Sequence, residues 1–365
     1  MTYLRPFYPR TFRLFLTYRC MYECDHCFMY GSPQEATVMP EADMLQYLEM
    51  AARHGIRTVS FTGGEPFTCP DLLKTGIEAA VEMGFDLVWV ESAFLGRNED
   101  EIQENARFLA EHNVVYVTSL NSFQKSSCPG CFDFEAQRIA EFSALLSGDV
   151  KMRVIGLYLP DHIQEASLFK QVFKEGLRAQ LLTCPPESSE LRELLGDNFY
   201  YIPEGVFDMQ HHNVPLNIQY VSRVGRAYDK AIKPTEALVK QRKQPDFLLR
   251  CSQIPRPGEE SVDLDQILVH PNGKVSFCCL QDRTTDFGLG NLKEDGWEGV
   301  IDIIKSHPLF TCTYPIKLEF MAKQISLHFP EAVPQEGFMN GCEVCNLYHK
   351  HPDIQKLLKS LVERG

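Results

Sequence analysis

The sequence has no run of 18 apolar residues, the length at which a segment reads as a membrane-spanning helix. It also has no low-complexity tract and no internal repeat. Met1-Thr2-Tyr3-Leu4-Arg5-Pro6 lacks the apolar core and small-residue cleavage site of a signal peptide. These absences argue against membrane insertion and secretion, and the protein is expected in the cytoplasm with no membrane partner. Positive charge is in short supply too: 36 Lys and Arg stand against 49 Asp and Glu, a formal net charge of −13. Affinity for a phosphate backbone rests largely on Lys and Arg contacts, so nucleic-acid binding is disfavoured. The densest basic stretch, Lys240-Gln241-Arg242-Lys243, reads as a solvated helix end.

What the chain does have is cysteine, 13 in 365 residues. In a reducing compartment such a set is not a disulfide framework, and spacing becomes the informative property. The length suits one large domain and a smaller one. Strand-like runs at 12–17, 57–61, 86–90, 114–119 and 151–158 alternate with helix-like segments at 41–53, 71–83, 99–111 and 133–146. Apolar runs alternating with amphipathic helices imply an α/β fold, a parallel sheet with helices outside. Further on, 168–175 reads as a helix, and 179–183 and 216–221 read as strands, the latter favoured as the sixth of the barrel. Between them Pro185-Pro186, Pro203 and Pro215 mark an insertion on the substrate side. The alternation ends near Ala227, and the chain divides into residues 1–230 and 231–365. In the second part, 267–270 and 274–278 flank Pro271-Asn272-Gly273 as a β-hairpin with an Asn-Gly turn.

Cys20, Cys24 and Cys27 are spaced C-x3-C-x2-C just after the first strand. The C-terminal end of a barrel strand is where active sites sit. Three thiolates can hold three irons of a [4Fe–4S] cluster and leave the fourth open to a cosubstrate. The competing reading is zinc, with His26 as fourth ligand, although its place between Cys24 and Cys27 makes a closed tetrahedron awkward. Gly63-Gly64-Glu65-Pro66 closes the second strand. Glycines there let the backbone approach a ligand, and an exposed carbonyl or carboxylate can meet an ammonium.

Taken together, the three cysteines and the Gly-Gly-Glu-Pro turn resemble the two signatures of the radical S-adenosylmethionine (SAM) superfamily. The family commonly has an aromatic residue before the third cysteine, where this chain has His26. The resemblance implies a partial (β/α)6 TIM-like barrel. It also implies that Gly63, Gly64, Glu65 and Pro66 hold the SAM amino group and that His26 packs near the adenine. Val117-Thr118-Ser119-Leu120-Asn121 is similar to a family segment in which Ser119 contacts SAM, with Asn121 replacing the usual Asp. Arg138, on the following helix, is a candidate partner of the SAM carboxylate, against the plainer reading of a solvated helix arginine.

Cys251, Cys278, Cys342 and Cys345 form the second set. Gly273-x4-Cys278 and Cys342-x2-Cys345 resemble the twitch and SPASM extensions of the same superfamily, as do Val224-Gly225-Arg226-Ala227 and Gly290-Asn291-Leu292. The resemblance implies a small C-terminal cluster-binding β-hairpin/helix domain with an auxiliary [4Fe–4S] cluster. A structural zinc is the alternative, and Cys279 or Cys312 could replace one of the four ligands.

The resemblance further implies reductive cleavage of SAM and hydrogen abstraction from a substrate, with a reductant such as flavodoxin or ferredoxin. The auxiliary cluster implies net oxidation, with epimerisation as the other outcome. Cys128 and Cys184 are candidate hydrogen donors; with Cys69 and Cys131 they read more simply as buried thiols. Only Met1–Thr11 precede the first strand, which favours a small molecule such as an amino sugar over a precursor peptide. A peptide maturase and a non-enzymatic two-cluster electron carrier are the alternatives.

Overall fold

The computed structural model describes residues 9–93, 95–119, 151–158, 178–183, 199–201, 213–220, 266–277, 283–284, 288–306, 318–335, 337–338 and 341–363. The strands are β1 (Thr11–Thr17), β2 (Thr58–Gly63), β3 (Leu87–Glu91), β4 (Val115–Ser119), β5 (Lys151–Tyr158), β6 (Arg178–Thr183), β7 (Phe199–Tyr201), β8 (Asn213–Tyr220), β9 (Gln266–Val269) and β10 (Val275–Ser276). They form one sheet in the order β10-β9-β1-β2-β3-β4-β5-β8-β6-β7. Every pairing is parallel except the β9–β10 hairpin. This is the expected barrel-type sheet, left open between β10 and β7.

Helices α1 (Glu41–Arg53), α2 (Pro70–Glu82) and α3 (Glu99–Glu111) connect the first four strands. Each lies within a residue or so of its sequence expectation, the usual scatter of helix ends. Their apolar stripes cover the outer face of the sheet, where Phe12, Leu14, Val59, Phe61, Val88, Val90 and Tyr116 are buried. Alternation then sends Arg13, Phe15, Ser60, Thr62, Trp89 and Glu91 to the inner face. Counted from β1, the sixth position, beside β5, belongs to β8, in agreement with the preference for 216–221. β6 and β7 extend the sheet beyond it. The helices expected at 133–146 and 168–175 lie outside the described residues.

The hairpin forms at the expected place. His270 N–H donates to Lys274 O and Gly273 N–H to His270 O, each at 2.9 Å. The sequence assigned it to the C-terminal unit; in the structure β9 runs parallel to β1, from Thr11↔Gln266 to Leu14↔Val269. β1 is therefore flanked on both sides, and the first described strand of the C-terminal segment lies on the barrel's own sheet. Helices α4 (Leu292–Ser306, broken at Gly296), α5 (Leu318–His328), α6 (Gly341–Lys350) and α7 (Pro352–Glu363) follow. Among the described residues no helix is long and apolar enough to cross a membrane.

The start of α3 shows how local sequence sets an element. Asn98 caps it by accepting from Glu101 N–H at 3.0 Å, and the Glu101 carboxylate accepts from Arg97 N–H at 2.8 Å. Replacing Asn98 by Ala should cost about 1 kcal/mol, read as a lowered urea midpoint at unchanged slope.

Candidate functional site

β1 ends at Thr17, and the chain then leaves the sheet in the loop that carries Cys20, Cys24 and Cys27 before returning beside β1. The return is fixed by Tyr18 N–H to Thr37 O at 3.2 Å, Thr17 Oγ1 to Thr37 O at 2.7 Å and Met39 N–H to Leu16 O at 2.7 Å. Inside the loop Cys20 N–H donates to Ser32 O and Cys27 N–H to Cys24 O, both at 3.0 Å. All three cysteines are partly buried, as is His26 between them.

The Gly63-Gly64-Glu65 turn is joined to this loop backbone to backbone. Gly64 N–H donates to Thr17 O and Glu65 N–H to Arg19 O, each at 2.7 Å. Only glycine permits the approach. A Cβ on Gly63, whose φ is +140°, would stand 2.3 Å from Thr17 O, and one on Gly64 would stand 2.3 Å from Arg19 O. Both atoms are backbone and cannot move aside alone. The two motifs noted in the sequence thus meet along one seam at the C-terminal end of adjacent strands.

The Glu65 side chain departs from expectation. Its carboxylate is fully buried and does not offer itself to an ammonium. It accepts from Ser92 Oγ at 2.6 Å, Ala93 N–H at 2.9 Å and Phe67 N–H at 3.0 Å. Burial raises this carboxyl to about 7, against the pull of those three donors. Glu65 therefore ties the turn to the end of β3, and the carbonyls of the glycine turn are what remains for a ligand. Pro66 is buried and opens the short 3-10 turn Pro66–Thr68. Cys69 caps α2, and its thiol donates to Pro66 O at 3.2 Å. Burial and then Glu65 push that thiol up to about 12, in line with a structural role.

The donor set at Cys20 suits an iron–sulfur cluster. Burial and the nearby Glu65 push the Cys20 thiol well above its usual range, Cys24 and Cys27 push the same way, and only the Tyr22 N–H opposes. Thiolates held close together beside a carboxylate need a cation between them, which a cluster's irons supply. Among the described residues no three His, Cys, Asp or Glu side chains converge on a point fit for a single ion.

Of the other expected site residues, Ser119 ends β4, paired with Ile155 of β5. Cys342 and Cys345 lie one turn apart near the start of α6, on one face and partly buried. Arg138, Cys128, Cys184, Cys251 and Cys278 lie outside the described residues, so only two of the second four cysteines are placed.

Sequence reasoning missed a polar cluster on the inner face. Arg13 of β1 pairs with Glu91 of β3 at 2.8 Å, and Ser60 and Thr62 of β2 each donate to Glu91 at 3.3 Å. Arg13, Ser60 and Trp89 share one row of the sheet register. Arg13 Nε and Trp89 Nε1 have no hydrogen-bond partner among the described residues. Barrel interiors are usually filled by branched apolar side chains. The period-2 pattern of Thr58-Val59-Ser60-Phe61-Thr62 carried the signal for a polar interior.

Residues 14–128 match the family model "Radical SAM superfamily". The Bacillus subtilis (strain 168) protein YydG, named for peptide biosynthesis, is 30% identical over 112 residues, covering 30% of this chain and 35% of that protein. A Saccharolobus solfataricus protein named as a GTP 3′,8-cyclase is 26% identical over 122 residues, 33% of this chain and 39% of that protein. The chain thus spans well under half the length of these two relatives. AlbA of B. subtilis (strain 168), named for biosynthesis of the antilisterial bacteriocin subtilosin, is 20% identical over 351 residues, 92% of this chain and 68% of that protein. Two solved structures share the fold. Streptococcus suis SuiB bound to precursor peptide SuiA has a TM-score of 0.51 at 15% identity, covering 83% of this chain and 66% of that one. Native anSMEcpe with bound AdoMet has a TM-score of 0.51 at 12% identity, covering 96% and 100%.

If Glu65 braces the turn through three donors, Glu65→Ala should cost about 3 kcal/mol and Ser92→Ala only about 1 kcal/mol, both read by urea unfolding. Equal losses would mean that the Ser92 bond alone carries the brace.

Proposed function

We propose that this chain, whose residues 14–128 match the radical SAM family model, is a radical SAM enzyme that modifies a peptide. The observation that carries the first half is the seam: the cysteine loop and the Gly-Gly-Glu turn, two motifs with no local reason to meet, are bonded backbone to backbone at one end of the sheet. In this reading Cys20, Cys24 and Cys27 bind a [4Fe–4S] cluster, and the Gly63–Gly64 backbone receives the SAM ammonium. When bound, cluster and SAM supply one-electron cleavage of the sulfonium and abstraction of a hydrogen atom from the substrate. The chain's own part is placement. Glu65 holds the turn, the β1–β2 seam sets the distance between the two motifs, and the inner face excludes bulk water.

The expectation of a small-molecule substrate gives way here. YydG, matching 112 residues, is named for peptide biosynthesis, and AlbA, matching nearly the whole chain, for biosynthesis of the bacteriocin subtilosin. The earlier preference rested on how few residues precede β1, which reflects where this sequence begins and not the chemistry of the site. Cys251, Cys278, Cys342 and Cys345 are proposed to hold an auxiliary [4Fe–4S] cluster, with residues 231–365 as its domain.

Oxygen-free reconstitution should give about eight irons per chain, falling to about four in a Cys20/Cys24/Cys27→Ala variant. Reduced holoenzyme with SAM should then release 5′-deoxyadenosine above background with members of a synthetic peptide library. The modified peptide would be identified by mass, a two-hydrogen loss marking oxidation. Stimulation by amino sugars and by no peptide would overturn the peptide assignment.

A further inference from the structure

His270 stands at the end of β9, buried at 5% exposure, and both of its ring nitrogens are engaged. Nδ1 lies 2.7 Å from the Tyr18 hydroxyl, and Nε2 lies 3.2 Å from Ser276 Oγ on β10. The ring stacks on Phe15 of β1, with centroids 4.9 Å apart and planes 23° from parallel. Tyr18 is two residues ahead of Cys20. Its other flank is covered by Arg283, whose guanidinium carbon is 4.7 Å from the ring centroid. Arg283 also pairs with Glu35, and its N–H donates at 3.4 Å to the carbonyl of Phe28, the residue after Cys27. Beneath these contacts Phe15, Met29 and Leu268 form a small apolar cluster of their own, against which Tyr18, Cys27 and Phe28 pack.

Two residues from the C-terminal third therefore grip the cysteine loop at both ends. The loop needs such a grip. Between Cys20 and Tyr30 the described residues form neither helix nor strand, and ordering free backbone costs about 1–2 kcal/mol per residue.

We propose that His270 is a positioning residue for the loop carrying Cys20, Cys24 and Cys27, acting through the Tyr18 hydroxyl. The function is preorganisation. The loop's thiols are held ready for a cluster, and Ser276 of β10 holds His270 in place from the other side. The inference rests on the radical SAM reading for what the loop binds, but the grip itself is a property of the bare chain.

The test is amide hydrogen exchange of the cluster-free full chain, with iron content after reconstitution as a second readout. Asn at position 270 can place a polar atom near the Nδ1 position, and Gln near Nε2. His270→Ala and Tyr18→Phe should each speed exchange of the 20–27 amides roughly tenfold, and the double variant should be no faster than either single one. His270→Asn should restore slow exchange, while His270→Gln should not. Iron at the first site should fall in the fast-exchanging variants only. Unchanged loop exchange in His270→Ala, equal rescue by Gln and Asn, or additive effects of the two substitutions would each overturn the proposal. A wild-type chain that takes up no iron would count against the radical SAM reading, while the exchange data would still decide the role of His270.

Discussion

Two backbone hydrogen bonds, Gly64 N–H to Thr17 O and Glu65 N–H to Arg19 O, set the separation of everything that could meet at this site. They exist because positions 63 and 64 lack a β-carbon. Side-chain contacts can adjust by changing rotamer, but a backbone seam cannot, so the spacing between the cysteine loop and the glycine turn is fixed to the accuracy of the sheet itself. Glu65 adds the third side of the frame by carrying the turn across to Ser92 and Ala93 at the end of β3. A buried carboxyl is a costly brace, as its raised proton affinity shows. It is tolerated because three donors satisfy it at once.

The two faces of the sheet divide the work. Outward residues of β1–β4 join the helices in one continuous apolar core. Inward residues make a polar wall around the Arg13–Glu91 pair, with the small Phe15–Met29–Leu268 cluster at its β9 end. Stability and chemistry thus come from alternate residues of the same strands. A one-residue slip of register would exchange them, so the register that fixes the core also fixes the site.

Much of this was legible because it is local. The helices α1–α3 follow from their apolar spacing, the hairpin from Asn272-Gly273, and the cysteine loop from C-x3-C-x2-C after an apolar strand. What escaped depends on pairing across long stretches of chain. Nothing near residue 65 says that its carboxylate turns inward, because Ser92 and Ala93 follow the next strand. Nothing near residue 266 says that it lies against Thr11. Nothing near Arg13 says that Glu91 of β3 lies beside it. The substrate preference failed for a different reason: it was drawn from the start of the sequence and not from residues lining the site.

The parallel pairing of β9 with β1 has a consequence in time as well as space. Residues 11–14 leave the ribosome well before residues 266–269, with which they pair. Such high contact order is slow to close. Until it closes, β1 has a bare edge, and His270 and Arg283 are absent from the cysteine loop. The frame around the cysteine loop is thus assembled late in synthesis: a fragment that stops short of residue 283 would carry the three cysteines without the contacts of His270 and Arg283.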